Sequence, residues 1–308
     1  MNSKFKKAAK EIRKNWVLFL MIAPALLYFF IFCYLTMPGA YVAFVNYNPN
    51  KGIFGSPFVG LKNFSFLVRN GDLFRLTKNT LLYNLVFLVL GHAIQVVLAI
   101  MISEIGNKLY KKFSQSVILL PNFISYIIVG VFAYSFFNTD YGFINNMLSK
   151  AGMEEIAFYS TPWIWKYIIT FFYIWKTTGY GMIVYLATIT GISTEIYEAA
   201  YVDGANKIQR IIHITLPLLK QTFILLVLFG LGGLLRGSFD LFYNLIGNNS
   251  LLFPQTDIID TYVYRGLLGS FNFSSSAAVG LYQSVFGLVL VLIVNAIVKK
   301  VQPESALF

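Results

Sequence analysis

Residues 198–217 read EAAYVDGANKIQRIIHITLP and lie between two long apolar segments. The stretch is polar for its surroundings, carrying Glu198, Asp203, Lys207 and Arg210. Ser193 or Thr194 suits an N-cap just upstream, and Glu195 places negative charge in the first turn, where the helix dipole favours it. Ile196, Ala199 and Ala200 share one helical face. Gly204 ends the helix, because glycine takes the left-handed C-terminal conformation without penalty. A second amphipathic helix follows with Ile208, Ile211 and Ile212 on one face. Pro217 suits the first turn of the next apolar segment, where its missing N–H costs nothing. On helix pattern alone, a hairpin lying on a membrane surface satisfies this reading equally well.

The rest of the chain defines the solvent. Of 308 residues, 57% are hydrophobic and 12% charged, with 30 Phe and 20 Tyr. Soluble domains carry about a quarter charged residues, so half that share points to a polytopic membrane protein. Six stretches approach the ~20 apolar residues that a ~30 Å hydrocarbon core requires: 16–36, 81–102, 116–137, 167–189, 218–235 and 278–298. The first is too long for a cleaved leader, and Pro24 with bulky aromatics replaces a small-residue cleavage site. Cys33, the single cysteine, excludes an internal disulfide and reads as a small buried apolar residue.

Six spans put both termini on one side, and Lys and Arg accumulate on the cytoplasmic side. With the N-terminus inside, the inner segments hold thirteen cations against six acids, whereas the outer segments hold seven of each. The net charge of +11 is therefore mostly a topology signal, and no nucleic acid partner is needed to explain it. Residues 1–15 form a basic cytoplasmic segment, 16–300 the transmembrane domain and 301–308 a cytoplasmic tail. Residues 191–217 become a cytoplasmic loop. No G-x-x-x-x-G-K-[ST] phosphate loop occurs, so a nucleotide would not be cradled in that way.

Glu198-Ala199-Ala200, three residues, Gly204, nine residues, then Ile214-x-Leu216-Pro217 resembles the signature of ATP-binding-cassette importer permeases. Further stretches, including KNTLLYNL (78–85) and GYGMIVYLATITGISTEIYEAAYVDGA (179–205), look like the carbohydrate-uptake branch, close to the LplB- and MalF-like permeases. The resemblance covers nearly the whole chain. It implies an all-α, six-span type I ABC importer permease fold in the cell membrane. It further implies that the 194–204 helix docks on a separate ATPase through Glu198, Ala199, Ala200, Tyr201, Asp203 and Gly204. The implied partners are a second homologous permease, two ATPase subunits, an extracellular solute-binding lipoprotein, membrane lipid and an oligosaccharide. No cofactor is expected on this chain; ATP and Mg belong to the ATPase.

Polar side chains at membrane depth usually face an interior or a water-filled path. Tyr173, Lys176, Thr177 and Tyr180 fall at i, i+3, i+4, i+7. Carried over from the resemblance, sugar contacts fall near these four and near Gly230, Gly233, Leu234 and Gly237. The glycines serve either the path or close helix packing. Lys176 either faces the path, favouring a carboxylated sugar, or is snorkelling or paired with Asp240. Asn84, Gln95 and Asn122 read as interhelical hydrogen-bonding residues, and His92 and His213 are too isolated for a metal site. An ion-coupled carrier of a small polar solute is the alternative, but the spans contain no carboxylate for coupling. A membrane-embedded enzyme would need a cluster of His, Asp, Glu or Cys at depth, and none is visible.

Overall fold

The computed structural model describes residues 11 and 13–301; most of the basic segment 1–15 and nearly all of the tail 301–308 lie outside the described residues. The chain is all-α. Apart from one antiparallel bridge between Val45 and Phe58, no strand forms among the described residues. The principal helices are α1 (Trp16–Phe44), α2 (Lys62–Arg69), α3 (Asp72–Ser103), α4 (Lys108–Phe123), α5 (Tyr126–Phe137) and α6 (Phe143–Lys150). They continue as α7 (Trp165–Thr190), α8 (Thr194–Val202), α9 (Lys207–Gly232), α10 (Phe239–Ile246), α11 (Ile259–Leu268) and α12 (Phe273–Val301).

Among the described residues four helices, α1, α3, α9 and α12, are long and apolar enough to cross a bilayer. The pair α4 and α5 adds a fifth if it is one broken span, since its halves meet at 94°. The sequence expectation of six spans is thus met in part, and two of the six stretches differ from the others. The 116–137 stretch is not one straight helix: Pro121 and the Ser125 N-cap divide it, with the Ser125 hydroxyl accepting from the Ile128 N–H. The helix over 167–189 does form, as α7, yet it falls short of the apolarity of a span. Eleven of its 26 residues, Lys176 among them, are buried within the protein, so its composition answers to neighbouring helices more than to lipid.

The core has three centres. At the N-terminal end of α7, Trp165, Ile169 and Phe172 pack with Leu241 and Phe242 of α10 and with Tyr83 and Phe87 of α3. A second joins Leu76, Ile259, Ala278 and Val279 to Ala43. The third packs Met182, Tyr185 and Ile189 of α7 against Ala99, Ile102 and Leu219. Each fully buried large side chain contributes roughly 1.5–3 kcal/mol relative to an exposed one.

The first helix behaves differently. No residue of Trp16–Phe29 is buried, and Cys33 is exposed, against the expectation of a buried thiol. Nothing else among the described residues covers Trp16–Phe29, so its apolar surface is left for lipid or another subunit. Pro24 sits inside it, and the helix loosens into a π turn at Phe30–Tyr34 before a 3-10 stretch.

Candidate functional site

The 198–217 stretch folds much as its residues direct. Ser193 caps α8, its hydroxyl accepting from the Glu195 N–H at 3.3 Å. The helix ends in a Schellman arrangement: the Gly204 N–H donates to the Tyr201 carbonyl at 3.0 Å, and the Ala205 N–H to the Ala200 carbonyl at 2.9 Å. Gly204 has φ +83°, a conformation that costs glycine little and an L side chain more. Asn206 and Gln209 then form a reciprocal capping box, with bonds of 2.9 and 2.8 Å. That second cap was readable from N-x-x-Q spacing and was overlooked.

The second helix is not separate from the membrane helix. Lys207–Arg210 runs through a π turn at Ile211–Thr215 into Leu216–Gly232 as one helix. Pro217 cannot donate a backbone hydrogen bond, and the widened turn before it carries the chain past that gap. The Tyr197 and Thr215 hydroxyls share a 2.9 Å hydrogen bond that ties α8 to α9. Lys207 pairs with Glu104 at 3.1 Å, joining the end of α3 to the start of α9.

No residue of α8 is buried. Glu198, Ala199, Tyr201, Asp203 and Gly204 are exposed, Ala200 is half-buried, and Ile196 and Val202 are exposed although apolar. Elements with an apolar stripe normally bury it. Here a rigid, doubly capped elbow holds the stripe open.

The other sequence-derived residues divide into two groups. Tyr173, Thr177 and Tyr180 of α7 line a cavity of about 390 Å³ together with Gly230 and Gly233 of α9. Phe87 stacks on Tyr173 with ring centroids 3.7 Å apart and planes 6° apart, whereas the Tyr180 ring is exposed. Asn84, His92 and Gln95 of α3 line the same cavity, as do Arg236 and Ser238. Asn84 does bond across helices, donating to the carbonyls of Leu234 at 2.8 Å and Arg236 at 3.1 Å. His92 Nδ1 meets the Tyr185 hydroxyl at 2.9 Å. The spacing of Asn84, His92 and Gln95 was the available signal that one face of α3 is polar.

Lys176 does not line that cavity. It is buried at the edge of the same arc of α7, where its ammonium donates to the carbonyls of Asn122 (2.9 Å), Pro121 (3.4 Å) and Ile124, and sits 4.8 Å from the Tyr126 ring centroid. An ammonium has three donors, and three backbone acceptors exposed by the α4–α5 break receive them. Neither the open path nor an Asp240 ion pair describes this geometry. Leu234 and Gly237 also lie outside the cavity lining. The Gly237 N–H donates to Asp260 at 2.8 Å. A Cβ at Gly237 would meet Ile258 at 2.4 Å, and one at Gly230 would meet Leu88 at 2.3 Å, so both glycines also serve close packing. Among the described residues no group of three His, Cys, Asp or Glu is arranged to hold a metal ion.

A family model described as the binding-protein-dependent transport system inner membrane component matches residues 95–303. Protein LplB of Bacillus subtilis (strain 168) is 38% identical over 95% of this chain and 91% of its own. The polygalacturonan/rhamnogalacturonan transport system permease protein YteP of the same organism is 35% identical over 98% of this chain and 94% of its own. Among solved structures, a bacterial alginate ABC transporter in complex with its alginate pentasaccharide-bound periplasmic protein superposes with a TM-score of 0.84. It has 34% identity over 95% of this chain and 97% of that one. A bacterial ABC transporter that imports the acidic polysaccharide alginate gives a TM-score of 0.86 at 33% identity, over 96% and 99% of the two chains.

Proposed function

The chain belongs to the family of binding-protein-dependent transport system inner membrane components, and from that premise we propose that it imports carboxylated oligosaccharides by alternating access driven by a separate ATPase. It is the permease of a binding-protein-dependent ABC sugar importer and an all-helical membrane protein. The finer reading adds six spans, with α7 and the bent α4–α5 pair completing the set, and both termini in the cytoplasm. A second homologous permease completes the path, and ATP and Mg sit on the ATPase pair.

The observation that carries this reading is the uncovered α8 elbow. Glu198, Ala199, Tyr201 and Gly204 stand exposed on a helix capped at both ends, which supports docking of a rigid partner groove. Small Ala199 and Ala200 permit close approach, and Glu198 supplies a charge for a basic or amide group. The Tyr197–Thr215 hydrogen bond gives any displacement of α8 a direct connection to α9, which lines the cavity.

Substrate class follows from the relatives and the cavity together. YteP is a polygalacturonan/rhamnogalacturonan permease and the structural neighbours handle alginate; these polymers carry carboxylates. In the cavity, Tyr173, Thr177 and Tyr180 provide rings and a hydroxyl for sugar faces, and Gly230 and Gly233 give room. The charge complement is Arg236, which lines the cavity and makes no close ion pair among the described residues, with Asp260 as its acidic neighbour. Guanidinium matches a carboxylate bidentately.

Proteoliposomes holding the permease pair, the ATPases and the solute-binding protein test the reading. Trigalacturonate uptake is expected only with ATP on the ATPase side. Uptake driven by an ion gradient without ATP would overturn it.

A further inference from the structure

A second polar cavity, of about 470 Å³, lies at the end of α7 remote from the 191–217 loop. It is lined by Arg75, Lys78 and Tyr83 of α3, Lys166 and Thr170 of α7, and Gln255 among others. Lys78 and Lys166 are exposed at this cavity and Arg75 is half-buried, a local excess of positive charge that attracts anions. Asp72 is paired with Arg75 at 2.8 Å. Asp257, next to the Thr256 turn, is paired with Arg265 at 2.7 Å. Among the described residues neither Lys78 nor Lys166 has an acidic partner. The Arg75 Nε–H is buried without a hydrogen-bond acceptor, a state that native proteins seldom leave unexplained.

The neutral polar groups around the cavity do not answer this charge. The Tyr83 hydroxyl donates to the Gln255 carbonyl at 3.0 Å, the Thr170 hydroxyl to the Lys166 carbonyl at 2.7 Å, and the Asn79 amide to the Asp257 carbonyl at 3.0 Å. Their hydrogens are spent on backbone, which leaves the two ammoniums and the Arg75 Nε–H as cationic donors beside the Gln255 amide.

Position connects this cavity to the central one. Lys166, Thr170, Tyr173, Thr177, Tyr180 and Val184 follow one another at intervals of three or four, so a single stripe of α7 lines both cavities. From Lys166 to Tyr180 the stripe spans roughly 20 Å at 1.5 Å per residue. On α3 the two cavities lie on opposite faces, because α3 crosses α7 where Phe87 stacks on Tyr173. At that crossing α3 stands between the cavities, and what they share is the α7 stripe alone.

We propose that Arg75, Lys78 and Lys166 form an outer subsite that binds a carboxylate of an incoming oligosaccharide. This rests on the importer reading above, and deepens it by naming a second charge-selective position away from Arg236. A phospholipid headgroup presents the same anionic oxygens, so the test separates the two sources.

The assembled complex is placed in nanodiscs of phosphatidylcholine alone or with phosphatidylglycerol. Binding of trigalacturonate and of its methyl ester is measured for the native chain, for Lys78→Met with Lys166→Met, and for the matching arginine pair. The subsite predicts that the methionine pair weakens trigalacturonate binding about tenfold or more, as expected for losing charge-assisted contacts. The ester is bound unchanged, the arginine pair retains binding, and raising salt erodes the difference. Equal trigalacturonate affinity in native and methionine forms overturns the subsite. So does a lysine-dependent affinity that phosphatidylglycerol abolishes, since lipid would then own the cavity. Uptake separates the two readings: binding through the lysines without import supports the subsite and defeats the importer assignment. Import with an unchanged KM after lysine replacement defeats the subsite and keeps the importer.

Discussion

The Lys176 ammonium donates to the Asn122 carbonyl at 2.9 Å, joining the middle of α7 to the break between α4 and α5. Chain breaks at membrane depth leave backbone acceptors without partners, and such groups are costly in hydrocarbon. Pro121, Asn122 and Ile124 supply three of them. One cation answers all three and is itself fully coordinated.

Lys176→Met is therefore expected to reduce stability and leave selectivity alone. Orphaning the three carbonyls should cost about 2–4 kcal/mol, read as a lower apparent Tm in detergent. The ratio of acidic to methyl-esterified oligosaccharide uptake by the protein that survives should stay unchanged. A selective loss of acidic uptake at native Tm would contradict the structural role.

Gly179 marks the same joint. A Cβ there would stand 2.2 Å from the Ile118 carbonyl and 2.7 Å from the Leu119 Cα, and backbone cannot give way as a side-chain end can. Gly179→Ala should destabilise by roughly 1–3 kcal/mol. Gly232→Ala, with nothing within 4 Å, should be neutral by the same thermal assay.

Much of the loop was legible because its chemistry is local. Ser193, Gly204 and the all-α class followed from capping, backbone conformation and hydrophobic content, and the structure bears out each. The divided 116–137 helix was not legible, because Pro121 announces a break but not a 94° turn. Lys176 shared an i, i+3, i+4, i+7 pattern with Tyr173, Thr177 and Tyr180, yet periodicity gives only a broad arc of a helix. At its edge, the nearest acceptors decided the side-chain direction, and those acceptors came from a break that could not be foreseen. Arg236 escaped notice because it lies just past a helix end, where a cation needs no explanation.

Tyr180 presents an exposed ring to the cavity, while Tyr173 is held against Phe87. Tyr180→Ala should raise the KM for uptake several-fold, as expected for one lost stacking face of about 1 kcal/mol, with Tm retained. Tyr173→Ala should lower both uptake and Tm, because it also removes a packed pair. Equal Tm losses in both variants would contradict this division.

Asp260 stands in the first turn of α11, outside the long apolar helices, accepting from the Gly237 N–H at 2.8 Å and from the Gln283 amide at 3.2 Å. Burial raises its pKa above the ordinary 3.8, with the hydrogen bonds and Arg236 opposing the rise. The folded state thus holds the proton more tightly than the unfolded one. Its contribution to stability should fall as pH rises from about 3.8 through the raised value, then level off. Asp260→Asn should flatten that segment of a Tm-against-pH curve; an unaltered curve would contradict the assignment.

The most direct measurement is ATP hydrolysis by the assembled complex when α8 alone is altered. Ala199→Trp and Glu198→Ala change exposed positions and should leave Tm in place. The account predicts that the ATPase subunits dissociate, or hydrolyse ATP without response to the loaded solute-binding protein. Native ATPase retention and native substrate stimulation in both variants would contradict the docking role of the 194–204 helix.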